Sequence, residues 1–233
     1  MRRAVRPNNL FTVFGGIMSS DNQLQQAVLA ELKWEPSVTA AHIGVAANAG
    51  VVTLSGHVGS FAEKLAAEAT ARRVKGVKAL AEEIEVRLPF ATKKTDEEIA
   101  AAALGRLAWD VSVPNDAVKV KVEKGRITLT GQVDWQYQRQ AAEHDVRGLY
   151  GVVGTSNQIK INPKVNTSNI SDDIMHALHR SWFFDPKTIN VSADEGEVRL
   201  SGTVRSWHER QVAAATAWAA PGVTDVVNDI VII

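Results

Sequence analysis

Apolar residues recur along this chain in two alternating patterns, one helical and one extended. Leu24, Val28 and Leu32 fall at helical spacing and predict an opening helix over about 21–33. Positions 43, 45 and 47 are apolar with a period of two, which is typical of a half-buried strand. Both patterns return twice in the same order. The later helical positions are Ile99, Ala103 and Leu107, then Ile174, Leu178 and Trp182, and the later strand positions are Val118, Val120 and Val122, then Ile189, Val191 and Ala193.

A glycine-bounded segment marks the second strand of each unit. It reads Gly50-Val-Val-Thr-Leu-Ser-Gly56, then Gly125-Arg-Ile-Thr-Leu-Thr-Gly131, then Gly196-Glu-Val-Arg-Leu-Ser-Gly202. A Gly-Val pair follows about twenty residues after each segment, beginning at Gly76, Gly151 and Gly222. The chain therefore contains three copies of a repeat of about seventy residues.

Each repeat predicts the same order of elements. The turns that end at Gly50, Gly125 and Gly196 predict three-residue hairpin loops. Second helices are predicted over about 60–75, 135–150 and 206–220, each ending at a glycine that caps its carboxyl end. A last strand with alternating apolar positions follows. The predicted fold class is α+β: three tandem α-β-β-α-β modules, each a small three-stranded sheet with two helices packed on one face.

The repeat divides the chain into a leader, 1–20, and three modules, 21–89, 95–163 and 168–233. The basic-then-apolar order of residues 1–17 imitates an export signal, but Gly15 and Gly16 interrupt the apolar stretch and no A-x-A-like cleavage site follows. We therefore expect a leader that is disordered or a start-site extension, and a cytoplasmic protein. The alternative is a periplasmic or envelope protein whose leader is an export signal.

Composition excludes several classes of function. The 26 basic and 26 acidic residues cancel, which argues against a general nucleic-acid binder. The absence of cysteine excludes disulfides, thiol nucleophiles and cysteine-ligated metals. No apolar run approaches the roughly 20 residues of a transmembrane helix. The sequence also lacks a phosphate-binding loop, a nucleophile elbow and a metalloprotease helix.

We therefore expect a protein that is not an enzyme and that has no catalytic residues, no cofactor and no metal. His176 and His179 share a helical face with Asp172 one turn earlier, but we expect them to be solvated surface residues. The six repeat glycines are expected to be structural. Three lie in the second strands, where a glycine marks a bulge or a close approach of backbone, and three are placed to cap the second helices. The six are Gly56, Gly131, Gly202, Gly76, Gly151 and Gly222.

The repeat L-[ST]-G-x-V, with its later Gly-Val pair and the following N-x-I, resembles the BON domain, named for bacterial osmotically inducible and nodulation proteins. The resemblance covers residues 21–233 and identifies a triple-BON protein. It implies a role in osmotic or envelope stress without catalysis, and weak multivalent association with anionic phospholipid surfaces. The alternatives are a chaperone-like or scaffold protein that contacts other proteins and, third, a sensor of small ions or solutes.

Two groups of side chains are candidates for contact with such a partner. Residues alternating with the apolar ones point away from the helices, and in the second module they form a basic surface for an anionic lipid or for the acidic face of another module. Its residues are Lys119, Lys121, Arg126 and Lys160. The alternative is a solvated sheet face.

The second group is aromatic and lies beside cations at the start of the second helices, a combination suited to a membrane interface or a partner. Its residues are Trp135, Tyr137, Arg139, Trp207 and Arg210, with Phe61 and Lys64 in the first repeat. The alternative is that these rings close the end of each core. Trp34, Trp109 and Phe184, upstream in the repeats, are expected to be core residues.

Overall fold

A computed structural model describes residues 20–162, 169–180 and 188–233. Most of the leader, the second linker and the segment containing Trp182 and Phe184 lie outside these ranges. The first module contains α1 (Ser20–Trp34), β1 (Ile43–Asn48), β2 (Val51–Val58), α2 (Phe61–Arg73) and β3 (Ala79–Val86). The second contains α3 (Asp96–Trp109), β4 (Val118–Glu123), β5 (Arg126–Val133), α4 (Gln136–Arg147) and β6 (Gly154–Ile161). The third contains α5 (Ile170–His179), β7 (Ile189–Asp194), β8 (Glu197–Val204), α6 (Trp207–Trp218) and β9 (Asp225–Ile232).

Each module has a three-stranded sheet with the glycine-bounded strand in the centre. That strand pairs antiparallel with the strand before it and parallel with the strand after it. In the first module Leu54 lies opposite both Val45 and Glu82. The parallel pair requires a crossover connection, and the second helix supplies it. The predicted α+β fold is confirmed.

Each module has its own hydrophobic core, which lies between its sheet and its helices. In the second module the cluster joins Ile99 and Leu107 of α3 to Leu129 of β5 and Val146 of α4, all buried. The helical and strand periods that appear in the sequence are the periods of these buried positions. Each module therefore packs its two helices on one face of its sheet and leaves the other face to solvent.

The hairpins are tighter than the sequence predicts. The loops contain two residues rather than three, because Asn48 pairs directly with Val51. Ala49 and Gly50 have φ of 50° and 87°, the two left-handed conformations of a type I′ turn. Only the second turn position is glycine. Ala49, at the first position, therefore adopts a left-handed conformation that is energetically unfavourable for a residue with a side chain. The first residue of each predicted loop is instead the last residue of the first strand, as Asn48 is in the first module.

The second helices also end earlier than predicted. α2 ends at Arg73 and α4 at Arg147, so Gly76 and Gly151 lie in the turn that leads to the last strand. Gly148, the C-cap of α4, has a φ of −96° and is not in the left-handed region. The prediction that the Gly-Val glycines cap these helices was wrong by about one turn.

Glycine in the central strand is explained by a close approach of backbone. Gly131 has a φ of 136°, and a Cβ placed there would lie 2.0 Å from the carbonyl oxygen of Ala117. Gly56 and Gly202 meet the carbonyl oxygens of His42 and Thr188 in the same way. Any side chain would push the entry to the first strand away from the sheet.

The modules contact one another through aromatic residues of their second helices. Phe61 of α2 and Trp218 of α6 both pack against the core cluster of the second module. Trp218 also packs against the core of its own module. Trp207, at the start of α6, donates its indole N–H to the carbonyl oxygen of Val77 in the first module. The second helices thus supply the contacts between modules as well as the cover of each sheet.

Candidate functional site

The four predicted cations of the second module lie together on the sheet surface that faces away from the helices. Lys119 of β4 lies opposite Thr130 of β5, and Lys160 of β6 lies opposite Gln132. Because alternate residues of β5 point to the same side, these cations share one surface. This surface is called the basic face, and its exposed cations are Lys119, Lys121, Arg126 and Lys160.

One carboxylate interrupts the basic face. Glu123 Oε2 lies 3.1 Å from Lys121 Nζ. Glu123 also lies opposite Arg126 in the sheet. Both side chains of this ion pair are largely exposed, so the pair contributes little free energy and Lys121 can exchange partners. With four cations against one carboxylate, the face has an excess of three positive charges.

The corresponding surfaces of the other two modules are acidic. On the first, Glu83 and Glu85 are exposed, and Glu85 pairs with Arg87 at 2.7 Å. On the third, one cation, Arg199, lies 3.0 Å from Asp229 Oδ2. This third surface is called the acidic face, and its exposed carboxylates are Asp194, Glu197, Asp225 and Asp229. Two of these acids stand at strand ends, since Asp194 is the last residue of β7 and Asp225 the first of β9.

Arg139 and Arg210, two of the predicted partner contacts, are engaged inside their own modules. Arg139 Nη2 donates to the carbonyl oxygen of Asn157 over 3.4 Å, and Arg210 Nη2 donates to that of Asn228 over 2.6 Å. The asparagine side chains return the contact, donating to the carbonyl oxygens of Arg139 and Arg210. These arginines tie the second helix to the last strand.

The aromatic candidates occupy different environments. Trp207 contacts the guanidinium groups of Arg72 and Arg210, whose Cζ atoms are 5.5 Å and 5.3 Å from its ring centroid. Trp135 is half-buried at the N-cap of α4, and Tyr137 is exposed. Trp207 therefore belongs to the contact between modules, while Tyr137 is the ring of this group that is most accessible to a partner.

Trp34 and Trp109 are not core residues, and this expectation from the sequence was wrong. Their side chains are 84% and 88% exposed. Each follows a buried leucine, Leu32 or Leu107, by two positions on its helix. Residues two apart on a helix face different directions, so burial of the leucine turns the indole toward solvent. The remaining member of this group, Phe184, lies outside the described residues.

The two exposed indoles hold equivalent places in their modules. Asp21 at the start of α1 accepts a hydrogen bond from the backbone of Ala49, and Asp96 at the start of α3 accepts one from that of Lys124. These bonds hold the helix starts beside the hairpin turns. Since each helix runs the length of its sheet, Trp34 and Trp109 lie at the opposite end of the module.

In the second module that end also carries two cations of the basic face. Lys119 is near the start of β4 and Lys160 is near the end of β6, both far from the hairpin turn. Val111, two residues after Trp109, is fully exposed. An indole, an exposed aliphatic side chain and two lysines therefore occupy one end of this module, with the indole on the helix side and the lysines on the sheet side.

Two carboxyl groups lie beside this end and titrate differently. The backbone N–H of Ser112 donates to Asp110 Oδ1 over 2.7 Å and holds the pKa of Asp110 below its usual value. Burial raises the pKa of Asp145, and the neighbouring negative charge of Asp110 raises it further. Asp145 Oδ2 is buried without a hydrogen-bond partner. As the pH falls, Asp145 therefore takes up a proton before Asp110 does.

The structure offers no geometry for metal binding in the ranges that it describes. No group of three His, Asp or Glu side chains there lies close enough to hold an ion. His176 and His179 lie in the last turn of α5. Across the same residues, every helix is too short or too polar to cross a bilayer.

The repeat, the sheet topology and the central-strand glycines together agree with a known family model. The model described as BON domain matches residues 20–87, 95–163 and 166–233. The chain belongs to the BON domain family. The resemblance drawn from the sequence motifs is thereby confirmed.

Among curated proteins, this BON protein is similar to osmotically-inducible protein Y of Escherichia coli (strain K12). The two are 31% identical over 153 residues, which cover 62% of this chain and 74% of the relative. Two solved structures of CdsD, a structural protein of the type III secretion system of Chlamydia trachomatis, align with 16% identity and a TM-score of 0.25. They cover 91% and 90% of this chain and 92% and 97% of their own. A superposition this loose supports no argument about fold or function.

Proposed function

We propose that this BON protein is a non-enzymatic, stress-related binding protein that associates weakly with anionic phospholipid surfaces through more than one module. The observation that carries the proposal is the exposure of Trp34 and Trp109, 84% and 88%, at equivalent positions of two modules. Packing among the residues that the structure describes does not account for these indoles. A surface outside the chain that accepts amphipathic rings does.

A lipid headgroup layer is such a surface. The indole has an apolar body and one N–H donor, so tryptophan is stabilised where hydrocarbon meets water. Val111 adds a fully exposed aliphatic side chain next to Trp109. Insertion of these two side chains into the interface would remove apolar surface from water without unfolding any element of the module.

The basic face supplies the electrostatic part of the proposal. A Lys or Arg near an anionic lipid surface contributes about 1 kcal/mol, and the attraction falls off within a Debye length of about 10 Å at 0.1 M salt. Lys119 and Lys160 lie at the same end of the module as Trp109, so a membrane contacting that end would meet both cations. Binding by this module alone is therefore weak and sensitive to salt.

Two modules with exposed indoles make the association multivalent. Once one module is bound, the second binds as if at a high local concentration, provided that the arrangement of modules lets both reach the surface. Trp34 and Trp109 lie at the ends of α1 and α3, in modules joined by a short linker. The whole chain then binds more tightly than its modules would one by one.

The name of the E. coli relative supports a role in osmotic stress, and this role is part of the proposal. We also propose the envelope compartment, the alternative given above, because none of the similarities found supports a cytoplasmic location. Cell fractionation of the full chain, compared with a chain that lacks residues 1–17, tests the compartment. Recovery of both forms in the cytoplasm would contradict it.

Co-sedimentation of the full chain with vesicles tests the association. We expect binding to vesicles rich in phosphatidylglycerol, weaker binding to pure phosphatidylcholine, and loss of binding as salt rises. Lys119→Glu/Lys121→Glu/Arg126→Glu should reduce binding to the anionic vesicles. If equal amounts of this variant and the wild type sediment with the anionic vesicles, the basic face does not contribute to lipid binding. Suppression of client aggregation without vesicle binding would favour the chaperone-like alternative.

A further inference from the structure

The acidic face of the third module contains a row of carboxylates, of which only Asp225 has a hydrogen bond among those found in the described residues, accepted from the backbone N–H of Val226. Asp194 lies opposite Glu197, and Glu197 lies opposite Asp225, so one acid from each strand stands side by side across the sheet. Like charges placed directly opposite one another destabilise a sheet. The ion pairs of the described residues include none of these three, and all three are exposed.

The same row is different in the other two modules. In the second it is Glu123, Arg126 and Gly154, and in the first it is Asn48, Val51 and Ala79, with no second acid in either row. The BON fold thus does not require acids there. The arrangement belongs to the third module and calls for a positively charged surface opposite it.

A surface of matching shape and opposite charge exists on the chain itself. The basic face is also the outer surface of a three-stranded sheet of the same length, and it carries four cations and one carboxylate. The acidic face carries four carboxylates and one cation. The excess charges are therefore equal in number and opposite in sign.

The two faces do not cover each other within one chain. All their charged side chains named above are exposed, and each face lies on the side of its sheet opposite the helices. The contacts between modules use Phe61, Trp207 and Trp218, which belong to the helices. Both faces are therefore open when the three modules are packed together.

We propose that the acidic face of the third module binds the basic face of the second module of another copy of this chain. The contact is head-to-tail, so a bound pair keeps one free basic face and one free acidic face and can bind further copies. The proposal does not depend on lipid association, although anionic lipid and the acidic face would compete for the same lysines.

The size of the faces sets the strength of this contact. Three strands about 4.8 Å apart and about 27 Å long present a face of about 400 Å². Two such faces bury about 800 Å² in total, less than the about 1,200 Å² of the smallest stable interfaces. The self-association is therefore transient, depends on concentration and weakens when salt screens the charges.

Sedimentation velocity of the full chain, without lipid, tests the proposal. The average mass should rise with protein concentration at about 20 mM salt and stay monomeric at about 300 mM. Lys119→Glu/Lys121→Glu makes both faces acidic, and Glu197→Lys/Asp225→Lys makes both basic. Each variant alone should remain monomeric. An equimolar mixture of the two should associate again, because each supplies the face that the other lacks.

Lys33→Glu/Lys93→Glu is the matched control, since both lysines are exposed, lie outside the two faces and give the same change in net charge. It should associate like the wild type, and circular dichroism should show all variants folded. A wild type that is monomeric at low salt would overturn the proposal. So would reversed variants that associate normally, a mixture that stays monomeric, or a control that loses association.

Discussion

The indole N–H of Trp207 donates a hydrogen bond to the carbonyl oxygen of Val77, 3.0 Å away, and links the third module directly to the first. The ring is flanked by Arg72 of the first module and Arg210 of the third. Trp218 and Phe61 meanwhile contact the core of the second module. The first and third modules are thus in contact although a complete repeat separates them in the sequence. The three modules therefore pack against one another and are not connected by their linkers alone.

Trp207→Ala should loosen the contact between the first and third modules. The variant loses two contacts that cross between the modules: the hydrogen bond to Val77, worth about 1 kcal/mol, and the cation–π contact with Arg72, worth about 0.5–1 kcal/mol. The radius of gyration from small-angle X-ray scattering should increase while the circular dichroism of the modules is unchanged. Trp207→Phe keeps an aromatic ring near the guanidinium groups but loses the N–H donor, and it should give an intermediate result. Unchanged scattering of the Ala variant would show that this residue does not hold the modules together.

Gly131→Ala should destabilise the second module by about 2 kcal/mol or more, since the new Cβ meets the carbonyl oxygen of Ala117 and the residue has a positive φ. Gly105→Ala is the matched control because that helical glycine has no neighbouring atom within 4 Å of a new Cβ. It should stabilise by about 0.5–1 kcal/mol. Urea unfolding of the full chain measures both changes. Equal midpoints for the two variants would contradict the close approach of backbone.

Glu63→Gln should make stability less sensitive to acid. Burial raises the pKa of Glu63, but N–H groups of Thr39 and Gly59, at 2.7 Å and 2.9 Å, outweigh it and hold the pKa below 4.5. A carboxylate with a lowered folded pKa stabilises the fold above its unfolded pKa, and this contribution is lost as the pH falls through the folded value.

Gln138 of the second module shows that a neutral side chain can occupy this place, since its Oε1 accepts N–H groups of Asp134 and Trp135. Urea midpoints measured at about pH 7 and about pH 3 should therefore differ less for Glu63→Gln than for the wild type. An equal or greater difference in the variant would mean that Glu63 does not contribute to the loss of stability in acid.

The sequence predicts the modules well because the buried positions repeat with the periods of their elements. Leu32 and Leu129 appear in those patterns and are fully buried. The same reasoning failed for Trp34, because a large aromatic side chain at the end of a helix looks like a core residue unless its angular position relative to Leu32 is considered.

The contacts between modules could not be predicted, because they depend on how complete modules are arranged in space. Trp207 and Val77 are 130 residues apart and belong to no common pattern. The acidic row was missed for a different reason. Asp194 and Asp225 become neighbours of Glu197 only when the hairpin turn and the register of the parallel strand are known.

Quenching of tryptophan fluorescence by brominated lipid tests the proposed lipid association most directly, because bromine in the acyl chains quenches only indoles that enter the bilayer interface. Anionic vesicles with brominated chains should quench the wild-type protein. Trp34→Phe/Trp109→Phe, which keeps the other tryptophans and the basic face, should lose most of that quenching. No quenching of the wild type, or equal quenching of the double variant, would contradict the account.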